Sequence, residues 1–211
     1  MGASAFINAI ITNIPRYQLE LAYGQNQVGV FTGLTHFNRV GIFFEAALIS
    51  VLLPKLAGAY TLGNKAVFLR LITKMCLFVL AVGATQVLVF CLFGDGLLGF
   101  IYNKEYSACA SAMVLMTVAS VFGSLAGVWK AGADACGVFV SQLPVFVLTG
   151  LFALGVSAFL VPEFGILGAA WTVVFTKAVL AVGFLYLFLS KARQIPKPTA
   201  TNALNPGELA A

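Results

Sequence analysis

Four charged residues stand among apolar neighbours: Arg16, Arg39, Glu45 and Lys177. A charge surrounded by hydrocarbon is costly and is retained where it pairs or binds something. Arginine offers phosphate oxygens a planar fork of donors, and lysine a mobile point charge. Three cations against one acid predict a cationic cavity suited to an anionic head, above all a diphosphate. Six residues separate Arg39 from Glu45, about 240° around a helix, so the two do not share a face. His36 lies on the Arg39 face, whereas Asn38, Gly41 and Glu45 line another. One of these stripes is expected to border a polar cavity and the other a neighbouring helix. Each buried charge has a structural alternative, an ion pair or carbonyl contact between helices. For Arg16, near the outer end of its apolar run, the alternative is contact with headgroups. Glu45 and His36 are the residues able to carry a coupling proton, with a packing role open for His36.

Signatures of covalent chemistry are nearly absent. The sequence has no DxD pair for metal-dependent glycosyl transfer and no HxxxD for acyl transfer. Gly2-Ala3-Ser4-Ala5 matches an intramembrane serine-protease GxSG only in part, with Ala5 in place of the final glycine, so no enzyme activity is expected. One histidine builds no metal centre. Cys76, Cys91, Cys109 and Cys136 lack CxxC or CxxxC spacing and read as small apolar fillers. No metal or cofactor is expected.

The elements that hold these residues are membrane helices. Of 211 residues 61% are apolar and only 9% charged, with a mean hydropathy of +0.99; a water-soluble globule carries about 25% charged residues. This excludes a soluble enzyme, a disordered chain and a nucleic-acid module. A helix crosses a bilayer with about 20 apolar residues. Runs near 28–54, 66–93, 107–129, 138–161 and 165–189 meet that test. A sixth, 1–22, is interrupted by Asn8, Thr12, Asn13, Pro15 and Arg16. The runs are continuously apolar rather than alternating, which favours helices over a barrel. Pro15 predicts a kink in the first span, with a hinge and a static bend both open. Ser120, Ser124, Gly123, Gly127 and Ala131 form small-xxx-small steps that let helix backbones approach. Asp95–Tyr106 is expected to form a separate interfacial helix, with Tyr102 and Tyr106 at headgroup depth.

Charge assigns the sides. Lys55, Lys65, Arg70 and Lys74 crowd the 54–74 connection without an acid; Lys130 and Asp134 occupy 130–137, and Lys191, Arg193 and Lys197 the tail. The opposite connections hold Asp95, Lys104, Glu105 and Glu163. The positive-inside rule then places both termini and the lysine-rich loops in the cytoplasm. Arg70 and Lys74 lie inside an apolar run but close enough to its end to snorkel. The expected organisation is a six-helix transmembrane lobe over 1–190 and a short disordered cytoplasmic tail over 191–211. No signal peptide or myristoylation pattern is evident at the beginning of the sequence.

Asn13-Ile14-Pro15-Arg16-Tyr17, followed by Leu19-Glu20, Tyr23-Gly24 and Val28-Gly29-Val30-Phe31, resembles the NIPRY-type signature of bacterial polysaccharide-unit flippases. These flippases belong to the multidrug/oligosaccharidyl-lipid/polysaccharide exporter superfamily. Leu53-Pro54-Lys55-Leu56-Ala57, Ile101-Tyr102 with Glu105-Tyr106, and Phe164-Gly165-Ile166-Leu167-Gly168-Ala169-Ala170-Trp171 are similar to later segments of that family. The resemblance runs from about residue 2 to 190. It implies an all-α membrane fold, the C-terminal six-helix lobe of a two-lobed transporter in the bacterial inner membrane. It further implies alternating-access movement of an undecaprenyl-diphosphate-linked oligosaccharide, such as an O-antigen unit of lipopolysaccharide. The partners it implies are that lipid-linked oligosaccharide, membrane lipid, and a missing N-terminal lobe or a second copy; no nucleic acid is among them. Arg16, on the matched motif, inherits the role of receiving the diphosphate, while Arg39 and Lys177 rest on the burial argument. The alternatives are a multidrug exporter of the same superfamily, which would favour buried acids, and a non-transporting membrane assembly subunit.

Overall fold

The computed structural model describes residues 2–37, 39–101 and 110–192, with side chains given for all of these except 2–5, 37, 39–40, 95 and 97–101. The described residues are helical apart from short turns. The helices are α1 (Gly2–Tyr23), α2 (Gln25–Phe37), α3 (Arg39–Thr61), α4 (Lys65–Ile101), α5 (Ala110–Ala135) and α6 (Leu143–Ala192), with a 3-10 turn at Val140–Gln142. Gly41–Thr61, Lys65–Gly94, Ala110–Ala135 and Val140–Ala192 are long and apolar enough to cross a membrane. The protein is an all-helical integral membrane protein.

The 50 residues of α6 are a helical hairpin. Gly165, at φ 55° and ψ −127°, breaks the helical path, in a region that glycine enters without a Cβ penalty. Pairing across it shows the reversal. A Cβ on Gly168 would collide with the backbone of Leu160 and Val161, and one on Gly183 would lie 2.6 Å from Val145 Cγ1. Three residues after the turn thus meet five before it, and eighteen after meet twenty before. The limbs 143–164 and 166–192 therefore run antiparallel, where the sequence places the runs 138–161 and 165–189. Phe146 and Phe184 close the same seam edge to face at 5.3 Å.

One expected element differs. The run 28–54 falls on α2 and α3, which adjoin at Asn38, a residue outside the described ones. The described part of the 95–106 segment, 95–101, is not a separate helix. α4 continues through Gly94 and Gly96 to Ile101, since the apolar residues 97–101 extend its hydrogen-bond ladder. Tyr102 and Tyr106 lie outside the described residues, as does the tail from 193. α1 runs unbroken through Pro15, which is buried.

α5 is the axis of the bundle, packed against α3, α4 and α6, while α1 packs along α6 and α2 leans on α1. Three apolar clusters stack along it. Leu19, Phe31, Leu34, Met113, Met116, Val161 and Ala170 fill one end. Ile11, Ile14, Ala126, Phe146, Leu180 and Phe184 fill the middle. Leu56, Phe68, Ile72, Met75, Val128 and Phe188 fill the other end. Turns close both ends. At the lysine-bearing end, Gly63 (φ 68°) terminates α3 while Asn64 N–H bonds back to Ala59 O at 3.0 Å, a helix stop built on a left-handed residue. Asn64 Oδ1 then accepts from Val67 N–H at 3.2 Å and caps α4. Lys55, Lys65, Lys130 and Lys191 gather at this end, and Glu20 and Glu163 at the opposite one.

Candidate functional site

Polar side chains within the bundle form two groups on separate interfaces. The first joins α1 to α2. Arg16 is half-buried, and its guanidinium donates from Nη1 to Asn13 Oδ1 at 3.1 Å and from Nη2 to Thr35 Oγ1 at 3.0 Å. The Thr35 hydroxyl in turn donates to Thr32 O at 2.7 Å, and Asn13 Nδ2 to Ala9 O at 2.8 Å. Every one of these partners is neutral. Glu20, one turn along α1, forms no ion pair with Arg16. The network orients the guanidinium and leaves its charge without a compensating carboxylate among the described residues. Arg16 lies about 11 Å along the helix from Tyr23. Its fork has donors left over, since guanidinium carries five.

The second group crosses α5. Lys177 stands in the second limb of α6, twelve residues past Gly165 and fifteen before Ala192, or about 18 and 22 Å from those ends. Its stem lies along Gly123, with Cδ and Cε 3.5 and 3.8 Å from where a Cβ would sit. One turn on, Gly127 receives the Glu45 carboxylate from α3, whose oxygen occupies the place of a side chain there. Ser124, between the two glycines, hydrogen-bonds the same carboxylate, and Glu45 and Lys177 attract each other across the groove without an ion pair within 4.0 Å. Gly123 and Gly127 thus open a groove on α5 that admits two charged side chains from opposite flanks. Gln86 of α4 completes the wall, its Oε1 lying 2.9 Å from the place of a Gly41 Cβ. A cavity of about 10 Å³, bordered by Glu45, Gln86, Ser120 and Ser124, is about the size of one water.

The expected residues therefore divide. Arg16 and Lys177 are not brought together: one faces α2, the other α5 and α3. Glu45 hydrogen-bonds Ser124 and shares the α5 groove with Lys177, and the Gly41–Glu45 stripe borders both a small polar cavity and a neighbouring helix. Arg39 is the first residue of α3, and its side chain lies outside the described residues. His36 is exposed in the last turn of α2. Sequence reasoning passed over Asn13 and Thr35 as partners of Arg16. It also passed over Gln86, although a lone amide in the apolar run 66–93 is a visible signal. Among the described residues no cluster of three or more His, Cys, Asp or Glu is able to hold a metal.

The chain is 25% identical over 189 residues to a Staphylococcus aureus protein described as "Capsular polysaccharide biosynthesis protein CapF", covering 89% of this chain and 48% of that one. The chain thus spans about half the length of this relative. No family profile and no solved structure matches it.

Proposed function

We propose that this chain is one lobe of a membrane transporter in polysaccharide biosynthesis. In this reading it moves an undecaprenyl-diphosphate-linked oligosaccharide across the bacterial inner membrane by alternating access. The observation that carries the reading is Arg16: a half-buried guanidinium between α1 and α2, oriented by neutral partners and without a carboxylate partner among the described residues. A half-buried cation of that kind is balanced when an anionic ligand arrives, and a diphosphate suits its fork. The NIPRY-type motif on which Arg16 stands, and the similarity to a capsular polysaccharide biosynthesis protein, point to the same class of substrate.

Lys177 takes a different part. Its stem fills the Gly123 groove of α5 beside Glu45, so we assign it to joining α6 to α5 and α3 while Arg16 engages the diphosphate. The work is binding and reorientation without covalent chemistry. A groove for the polar head lowers the cost of drawing sugars through hydrocarbon while the lipid tail stays in the bilayer. A complementary lobe, from a longer polypeptide or a second copy, closes the groove. The lysine-bearing end and both termini face the cytoplasm, as the charge division between the two ends favours.

The test is Arg16→Gln and Arg16→Lys in a cell that depends on the protein for surface polysaccharide. The glutamine variant is expected to lose surface polysaccharide at unchanged protein level, with lipid-linked precursor accumulating. The lysine variant is expected to keep part of the activity. Normal export by Arg16→Gln would overturn the proposal.

A further inference from the structure

The outward face of α4 changes character within one turn. Phe68, Ile72, Met75 and Val79 point into the bundle, each 0–6% exposed. On the opposite side, positions 70, 74, 77, 81, 84 and 88 follow one another at helical spacing and are all exposed. The upper part of this stripe is apolar, with Leu77 62% and Leu88 59% exposed and Leu80 and Val89 beside them. Such residues meet hydrocarbon when the helix spans a bilayer. The lower part is Arg70 and Lys74, both exposed and four residues apart. The cations thus stand directly beneath lipid-facing leucines, at the level where acyl chains give way to headgroups. Neither forms an ion pair among the described residues, and no acid occurs in the sequence between Glu45 and Asp95. The one carboxylate described at this end, Asp134, is held by Lys130 Nζ at 2.7 Å and Gln142 Nε2 at 2.7 Å. Arg70 and Lys74 therefore face outward without a counter-charge among the described residues.

We infer that Arg70 and Lys74 form a binding site for the headgroup of an anionic phospholipid on the lysine-bearing side of the membrane. The arginine fork takes phosphate oxygens, the lysine adds a second point charge one turn away, and acyl chains run up along Leu77, Leu80 and Leu88. Charge complementarity selects this occupant: a zwitterionic lipid brings its own cation, and free phosphate has no chains for the leucine stripe. The inference rests on the orientation of α4 alone and does not depend on the substrate proposed above.

The test is native mass spectrometry of the full chain, released from micelles doped with phosphatidylglycerol or phosphatidylcholine. The R70Q/K74Q double variant is compared with K55Q/K65Q, which removes equal charge from exposed positions off the pair. Retained phosphatidylglycerol adducts are expected for the native chain and for K55Q/K65Q. A loss of about fivefold per charge, roughly 25-fold for the two, is expected for R70Q/K74Q. The charge-retaining R70K/K74R variant keeps the adducts, which separates loss of the site from loss of the fold. Equal adducts in R70Q/K74Q and the native chain, equal loss in both glutamine variants, or displacement by excess inorganic phosphate would each overturn the site.

Discussion

Gly127→Ala is the substitution on which the second polar group makes its firmest statement. The added methyl would overlap the Glu45 carboxylate oxygen and lie 2.9 Å from its carboxyl carbon, well inside the ~3.5–4.0 Å of an ordinary carbon contact. The carboxylate has to leave the groove and give up its hydrogen bond to Ser124. Losing a charged hydrogen bond costs about 1.5–3 kcal/mol and overpacking about 1–3 kcal/mol. The better helix propensity of alanine returns about 1 kcal/mol. The net expectation is a destabilisation of roughly 2–5 kcal/mol. Gly123→Ala is the internal control, because its methyl would meet the Lys177 stem at 3.5–4.0 Å, an ordinary contact. That variant is expected to be neutral or up to about 1 kcal/mol more stable. Equilibrium unfolding in micelles reads both. Repeating Gly127→Ala in a Glu45→Ala background isolates the cause, since the methyl then has nothing to displace and its cost is expected to vanish. An equal penalty with and without the Glu45 carboxylate would refute the groove.

Lys177→Met removes the attraction that Lys177 exerts on Glu45 and is expected to lower the unfolding midpoint, and adding Glu45→Gln should restore most of it in the same unfolding assay. Gly165→Ala places a Cβ at φ 55° and 3.6 Å from the Tyr23 ring; a loss of about 1–2 kcal/mol is expected, read as a lower midpoint of thermal unfolding. Tyr23→Phe removes the hydroxyl that donates to Pro162 O at 2.7 Å and should cost about 0.5–1.5 kcal/mol. Burial pushes the Cys136 thiol up to about 11, against the opposing pull of Lys191. At pH 8 only about one thiol in a thousand is then ionised, and because thiolate is the reactive form, maleimide labelling should rise about tenfold per pH unit up to pH ~11. A plateau near pH 9 would contradict that environment.

Much of the architecture was legible because apolar run length is a direct measure of a membrane helix. Pro162-Glu163-Phe164-Gly165 marked the reversal inside α6 through its turn residues, and the lysines marked one end of the bundle. The extent of α4 was not legible, because Asp95 and two glycines resemble a break, although a helix tolerates them when apolar residues follow. The partner of Glu45 was hidden for a different reason. Angular spacing along one helix says which residues share a face but not which neighbour that face meets. Gly123 and Gly127 read as a backbone contact between helices, whereas the space they leave is filled by side chains of Lys177 and Glu45. Arg16 was found by its burial and its motif; that its partners are neutral is a fact of three dimensions.

The central claim is that a cation oriented by neutral groups receives the diphosphate of a lipid-linked saccharide. Proteoliposomes test it most directly. They would contain the polypeptide that carries this chain with its complementary lobe, and a fluorescent saccharide on undecaprenyl diphosphate. A membrane-impermeant quencher then follows the movement of the lipid between leaflets. The account predicts protein-dependent movement that falls by tenfold or more in Arg16→Gln, while Lys55→Gln moves the lipid as the native protein does. Movement at the native rate by Arg16→Gln, or no movement by the native protein, would contradict it.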